Sequence, residues 1–258
     1  ISADIVTDSA NVRHVGEGHA SVIRQSTWGN AGIQLRANNC GVVNLSVLST
    51  ETKTVITGTY ESEPARARSA GVYIADGDYC TVRDVTSEGF SAGVFLRGET
   101  DNINNSIGNK VENLLGITID QGVLFQQQDE LILDGIRGHT IAVSQTGNSA
   151  HLVYCSGGNS SLVSNRGVIK NLKGWDSSGA HHAVQLKYCN EFTGGNWTAD
   201  DFQGLYLQTN CTDCDFDGLK GTTMAAIAGS ALVHISGNDD RRNKIRNISS
   251  KECSIVYK

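Results

Sequence analysis

The stretch GVYIADGDYCTVRDVTSEGFSAGVFLRG, Gly71 to Gly98, holds Gly-Val-Tyr-Ile and, twenty-two residues later, Gly-Val-Phe-Leu. Between them stands a second apolar phrase, Val82-Arg83-Asp84-Val85. Two rhyming strands this close could form a hairpin, or they could be successive turns of a longer repeat. The rest of the chain decides. The first phrase returns as Ile33-Gln34-Leu35, Val72-Tyr73-Ile74, Val94-Phe95-Leu96, Val123-Leu124-Phe125, Leu152-Val153-Tyr154, Val184-Gln185-Leu186, Leu205-Tyr206-Leu207 and Leu232-Val233-His234. The second returns as Val42 to Leu45, Val82 to Val85, Val111 to Leu114, Leu133 to Ile136, Ile169 to Leu172, Phe216 to Leu219 and Ile245 to Ile248, with a looser copy in Phe192 to Trp197. Both phrases therefore occur in each of eight cycles.

Each phrase alternates apolar with variable residues, as a strand with one buried face does. Nowhere does a 3.6-residue stripe run long enough for a crossover helix. Strands that repeat in one direction without helices stack as the rungs of a solenoid, so the expected fold is all-β, a parallel β-helix of about eight rungs over residues 1–258. At about 4.8 Å per rung its core is a rod of roughly 35–40 Å. A leucine-rich repeat is opposed by the free mixing of Val, Ile, Phe and Tyr and by Gly/Ser/Asp-rich connections. Tyr73 and Phe95 should share one stacked column. Asn44, Asn113, Asn171 and Asn247 should share another, as an amide ladder or as corner residues that satisfy backbone groups.

Composition agrees. Twenty-nine glycines beside one proline, Pro64, point to tight corners made by Gly, Asn and Asp. A net charge of -6 opposes a phosphate-binding surface. The basic run Arg241, Arg242, Lys244 and Arg246 stands beside Asp239 and Asp240 and reads as a solvated mixed-charge loop. Seven cysteines include Cys211-Thr-Asp-Cys214, but no second pair stands at zinc spacing, so the expectation is buried thiols in a reducing compartment and no metal or cofactor. No apolar run has membrane-spanning length and no signal peptide opens the chain, which begins in strand-like ISADIV as a fragment of a longer chain would.

The opening run Asn11-Val12-Arg13-His14-Val15-Gly16-Glu17-Gly18-His19-Ala20-Ser21-Val22-Ile23 resembles the opening strand of pectate-lyase-like right-handed β-helix proteins, and Gly32 to Leu35 and Val42 to Leu45 follow as they do in that group. The likeness spans essentially the whole chain and is one of architecture. The group holds pectate lyases, polygalacturonases, uronan epimerases and bacteriophage tailspike depolymerases. The paired-aspartate signature of polygalacturonases is absent, and the unpaired cysteines and missing leader look most like a tailspike. That resemblance implies a single-stranded, right-handed coil, a homotrimer and a place on the virion tail after assembly in the bacterial cytoplasm. A secreted or cell-surface location is the alternative. It implies a bacterial polysaccharide as partner, with no nucleic acid and no membrane insertion.

Chemistry in a solenoid belongs to insertions that interrupt the repeat. Three stand out, Glu51 to Ala70, His139 to His151 and Trp175 to His182, and all precede a first phrase. They should emerge from one corner and flank a groove suited to an extended glycan. Repeat alignment puts Asp176 and Asp201 in one column on neighbouring rungs, with Asp200 beside them. Paired carboxylates about 5–9.5 Å apart are what glycoside hydrolysis uses as acid and base or nucleophile. Trp175 could stack on a sugar and His181 and His182 could bond its hydroxyls, whereas Trp197 stands at a core position. Glu88 with Asp120 is a further catalytic pair to consider. Asp76, Asp78, Glu99, Asp101, Asp129 and Glu130 form an acidic column read as solvent-facing turns, with calcium or hydrolase chemistry as the alternative. Tyr60, Arg66 and Arg68 crowd the first insertion as sugar-contacting or subunit-contacting residues.

The expected function is that of a tailspike-type protein that binds and hydrolyses capsule, O-antigen or exopolysaccharide as an endo-acting glycoside hydrolase. The alternatives are a polysaccharide lyase or uronate epimerase, opposed by the lack of an obvious Lys, Arg, His or Tyr base cluster, and a non-catalytic glycan-binding fibre module.

Overall fold

The computed structural model describes residues 1–27, 29–50, 69–98, 104–139, 141, 150–156, 163–177, 180–222, 232–237 and 240–251. All strand pairing there is parallel. The first sheet has nine strands in strict chain order: Ile5–Thr7, Ile33–Leu35, Ala70–Ala75, Ala92–Arg97, Gln121–Gln126, His151–Cys155, His182–Lys187, Gly204–Thr209 and Val233–Ser236. The second is twelve-stranded and carries Gly41–Ser49, Thr81–Glu88, Val168–Trp175, Thr193–Asp200, Asp215–Thr222 and Lys244–Lys251 among its members. A short third sheet joins Ser106–Ile107, Gln128–Asp129, Ser164–Asn165 and Cys189–Asn190. The chain is a right-handed parallel β-helix. Its opening run is itself a rung, since Ile5 pairs with Ile33 and Arg13 with Gly41. None of its described segments is a helix long and apolar enough to cross a membrane.

The corners explain the sequence. Asn44, Asp84, Asn113, Gly135, Asn171, Asn196, Gly218 and Asn247 all have positive φ, so one left-handed residue bends the second sheet on each of the rungs that follow the opening one. Asn, Asp and Gly tolerate that conformation best. The amides also bond along the column: Asn196 Nδ2 donates to Asn171 Oδ1 at 2.7 Å, and Asn171 Nδ2 to Asp134 Oδ1 at 2.7 Å. Another left-handed column, Asn39, Tyr79, Gly108, Glu130, Arg166, Glu191, Asp213 and Arg242, precedes the second sheet. There neighbouring rungs are tied by ion pairs such as Arg242 with Asp213.

Inside, Val72, Ile74, Val94, Leu96, Val123 and Phe125 of the first sheet meet Val82, Val85, Val111 and Leu114 of the second. Tyr73 and Phe95 stack outside this core with centroids 5.1 Å apart and planes within 8°. Two details of the repeat are corrected. Val123 pairs with Val153, Val184 with Tyr206, and Tyr206 with Val233, so the copies starting at Leu152, Leu205 and Leu232 are each slipped by one residue. The first sheet is buried on both faces here, and a strand buried twice has no alternation to mark its register. In the loose copy, Gly194 rather than Phe192 aligns with Ile169 and Phe216. A Cβ on Gly194 would meet the Ile169 carbonyl oxygen at 1.9 Å; the same carbonyl accepts the Trp197 indole N–H at 3.0 Å. Trp197 is core, as its position implies, and packs on Phe216 and Tyr206.

Candidate functional site

The described ends of the three insertions all join the second sheet to the first, at one corner of the coil. The Glu51 to Ala70 insertion lies almost wholly outside the described residues, and with it Tyr60, Arg66 and Arg68; so do Glu99 and Asp101. Two groups of side chains border this corner within the described residues, one from each sheet.

On the second-sheet side, Gly174 pairs with Ala199. The next residue out on each strand is Trp175 and Asp200, and the residue after is Asp176 and Asp201. Asp176 (φ 49°) and Asp201 (φ 64°) close their strands in left-handed conformation, as Gly89 and Thr118 do on earlier rungs. An aspartate suits that position on conformational grounds alone. Phe202 then turns into the core and fills the space over Gly174, where a Cβ would come within 2.6 Å of the Phe202 ring. That plug fixes the strand end bearing Asp200 and Asp201. The expected sharing of a column by Asp176 and Asp201 follows from this register.

Asp200 accepts a hydrogen bond from the Thr222 hydroxyl at 2.9 Å. The carboxyl of Asp201 is held above the ordinary aspartate range by desolvation first, then by the charges of Asp200 and Asp176. Trp175 is half-buried and stacks on His139 of the preceding rung, with centroids 5.3 Å apart, while Lys173 Nζ sits 5.5 Å from its ring. The Ser177 hydroxyl donates to the Trp175 carbonyl at 2.8 Å and anchors the turn. The result is a ledge with a flat aromatic surface beside three carboxylates. His139, Lys173 and Thr222 were not singled out from the sequence. A small residue, Gly138, Gly174, Ala199 or Gly221, precedes the outward position on each of these rungs and would have found it.

On the first-sheet side, His181 and His182 join a different set. Their Nδ1 atoms lie 3.1 Å apart, and the His182 carbonyl accepts from His151 Nδ1 at 2.6 Å. The His151 ring is 5.0 Å from Tyr154 and 5.7 Å from His181. Lys187 Nζ donates to the Tyr154 hydroxyl at 3.1 Å. Burial drives His151 well below the usual histidine range, and burial with the nearby His234 lowers His181. Asp120 is buried and accepts from the Ser91 hydroxyl at 3.3 Å. Glu88 is exposed and stands opposite Ile117, and Asp120 N bonds Ser91 O, so the register sets Glu88 and Asp120 at different points along their rungs.

The acidic turn column serves structure where it is described. Asp78 Oδ1 accepts from Ile107 N at 2.9 Å, and Asp129 Oδ1 accepts from Asn105 Nδ2 and Asn165 Nδ2 at 2.7 and 2.9 Å. Among the described residues no group of three or more His, Cys, Asp or Glu could hold a metal ion, and the six described cysteines are buried free thiols. His14 and His19 bond the hydroxyls of Thr7 and Thr86.

No protein-family model matches the chain, and no curated protein matches it. Solved structures do. The Streptococcus pneumoniae surface protein and adhesin PfbA superposes with a TM-score of 0.61 at 14% identity, covering 98% of this chain and 68% of that one. A second structure of PfbA gives 0.57 at 15% identity and 63% of its length. ORF18 of Geobacillus virus E2 gives 0.55 at 11% identity, covering 97% of this chain and 52% of that one. The likeness at these identities is one of fold, and this chain spans between about half and two thirds of those proteins.

Proposed function

We propose that the protein binds an extended bacterial polysaccharide along its loop-bearing corner and hydrolyses it at the ledge of Trp175, Asp176, Asp200 and Asp201. The setting is a virion tail or a cell surface. The observation that carries this reading is the pairing of Gly174 with Ala199, which sets the strand ends bearing Asp176, Asp200 and Asp201 side by side. Desolvation first, and then the charges of Asp200 and Asp176, hold the Asp201 proton more tightly. Hydrolysis of a glycosidic bond needs that asymmetry, a carboxylic acid to protonate the leaving oxygen and a carboxylate to activate water or attack the sugar. Asp201 is the acid in this scheme. Asp176 and Asp200 are the carboxylates, with Asp200 oriented by Thr222. Rungs about 4.8 Å apart bring neighbouring carboxylates close to the roughly 5–5.5 Å of retaining enzymes. Trp175, stacked on His139, offers a flat apolar face for a sugar ring.

The test is product chemistry. Host polysaccharide incubated with the protein should yield fragments with new reducing ends and saturated sugars, and Asp201→Asn should yield few. Fragments ending in unsaturated uronate would replace hydrolysis with elimination. A second reading, binding without cleavage, draws on the shared fold with a surface adhesin. Retained glycan affinity with no fragments after prolonged incubation would select it.

A further inference from the structure

The buried cysteines are separate from the ledge and unused by the hydrolysis scheme. Two pairs of them stand in register on neighbouring rungs. Gly41 pairs with Thr81, so Cys40 and Cys80 are neighbours one residue earlier. Asn190 bridges Thr212, and Thr212 N donates to the Cys189 carbonyl at 3.1 Å, so Cys189 and Cys211 are neighbours in the same way. All four side chains are buried and belong to one core. Neighbouring parallel strands lie about 4.8 Å apart, within the Cα separation of roughly 4.4–6.8 Å that a disulfide spans.

The two pairs differ in their surroundings. On the rung after Cys80 the column continues in Asn109, whose Oδ1 accepts from Cys80 N at 2.8 Å, and burial pushes the Cys80 thiol up to about 11. Cys211 instead has a thiol on either side. Cys214 follows it across the turn at Asp213 (φ 55°), with its Sγ 3.6 Å from the Cys189 carbonyl oxygen. Hydrogen bonds from Cys189 and then from Cys214 favour the Cys211 thiolate and hold that thiol below the usual cysteine range, against the opposing effect of burial. Burial raises Cys189, whereas Cys214 is raised by its bond to Cys211 and then by burial. Negative charge in this trio therefore rests on Cys211, and the thiolate is the form that attacks an oxidant.

We propose that Cys211 and Cys189 are a peroxide-responsive pair that closes a disulfide between neighbouring rungs. Hydrogen peroxide is small enough to reach a core thiol through brief local opening. The Cys211 sulfur attacks one peroxide oxygen and the O–O bond breaks. The released hydroxide takes up the proton that Cys211 shed, giving water and a sulfenic acid. The Cys189 sulfur then attacks the Cys211 sulfur; the S–S bond forms, the S–O bond breaks, and hydroxide departs with the Cys189 proton as a second water. Each thiol gives up one electron, and peroxide is the species reduced. Cys189 leads into the strand Thr193–Asp200 and Cys211 into Asp215–Thr222, whose Thr222 bonds Asp200. The new bond thus fastens the ledge from behind, and nothing in this step depends on glycan cleavage.

The experiment treats the folded whole chain with graded hydrogen peroxide, alkylates the remaining thiols and maps the peptides by mass spectrometry without reductant. Cleavage after Phe192 and before Asp213 separates the three thiols of the trio. A Cys189–Cys211 linkage should appear first, at doses that leave Cys40 and Cys80 reduced. The unfolding temperature should rise with it by roughly 5–10 °C and return when reductant is added. Cys189→Ser should leave a sulfenic acid on Cys211, captured by dimedone, with no rise in unfolding temperature. A linkage between Cys211 and Cys214, equal oxidation of Cys40 and Cys80, or thiols that all stay reduced in the folded protein overturns the proposal. The wild-type map decides even where the serine variant fails to fold. Fragment release is not part of this readout, so these outcomes are independent of those at Asp201.

Discussion

The two sides of the loop-bearing corner use polar residues in opposite ways. On the second sheet, Asp176 and Asp201 stand where each rung turns left-handed, partly open to water, and desolvation, followed by the like charges of Asp200 and Asp176, raises the proton affinity of Asp201. On the first sheet, His151 and His182 are buried, and His151 is kept neutral mainly by desolvation. At a corner, one aspartate can satisfy backbone geometry and still present its carboxylate to solvent. On a sheet face that is covered, a polar side chain must find partners within the fold or await a ligand. The ledge therefore keeps its carboxylates within reach of solvent, and the histidine cluster keeps His151 and His182 inside the fold.

That contrast can be strained from behind the ledge. Trp197 supports it from the core, so Trp197→Ala should cost about 3–5 kcal/mol of unfolding free energy, measured by urea titration. A cost below about 1 kcal/mol would mean that the rung carrying Asp200 and Asp201 is not held by the packing seen. The two sides also differ in the sign of their pH dependence. His151 and His181 titrate below the usual histidine value in the fold, so as pH drops below about 6.5 the unfolded chain takes up protons that the folded chain refuses, and stability falls. Asp201 is raised, so its contribution is present at low pH and is lost as pH rises through its folded value. Unfolding temperatures between about pH 7.5 and 5 should decline toward acid, and His151→Gln should flatten that decline. A decline that persists unchanged in His151→Gln would show that the cluster is not its source. The smallest effect concerns the corner residues shared by all rungs. Asn171→Ala should cost about 1–2 kcal/mol for left-handed strain, and Asn171→Gly less, because glycine has no Cβ to strain.

The repeat was legible because Val72, Val94 and Val123 recur at the same point of successive rungs and Asn44, Asn113, Asn171 and Asn247 mark one corner. A residue that must adopt positive φ on every rung leaves a compositional trace. The slips at Leu152, Leu205 and Leu232 have the opposite cause. With both faces of the first sheet buried, apolar residues fill consecutive positions and neither neighbour is preferred as the start. The aspartate column was legible since Asp176 and Asp201 follow the second phrase at a constant offset. His139 lies in the adjoining column but marks the edge of an insertion, where spacing stops being informative. His151 was invisible for a related reason. An insertion of irregular length precedes it, and only the register that sets Val153 against Val184 brings it beside His182. The sequence shows no obvious Lys, Arg, His or Tyr base cluster, and Tyr154, Lys187 and the three histidines come near one another only through the stacking of the rungs.

The central claim is that Asp201 acts as the acid of a hydrolytic site. The most direct test is the rate at which wild type and Asp201→Asn release reducing ends from host polysaccharide, with unfolding temperature measured on the same samples. Loss of a general acid predicts a fall of about 10²–10⁴-fold, with stability changed by no more than about 0.5 kcal/mol, as for a surface substitution. Release by Asp201→Asn within a few-fold of wild type would contradict the account.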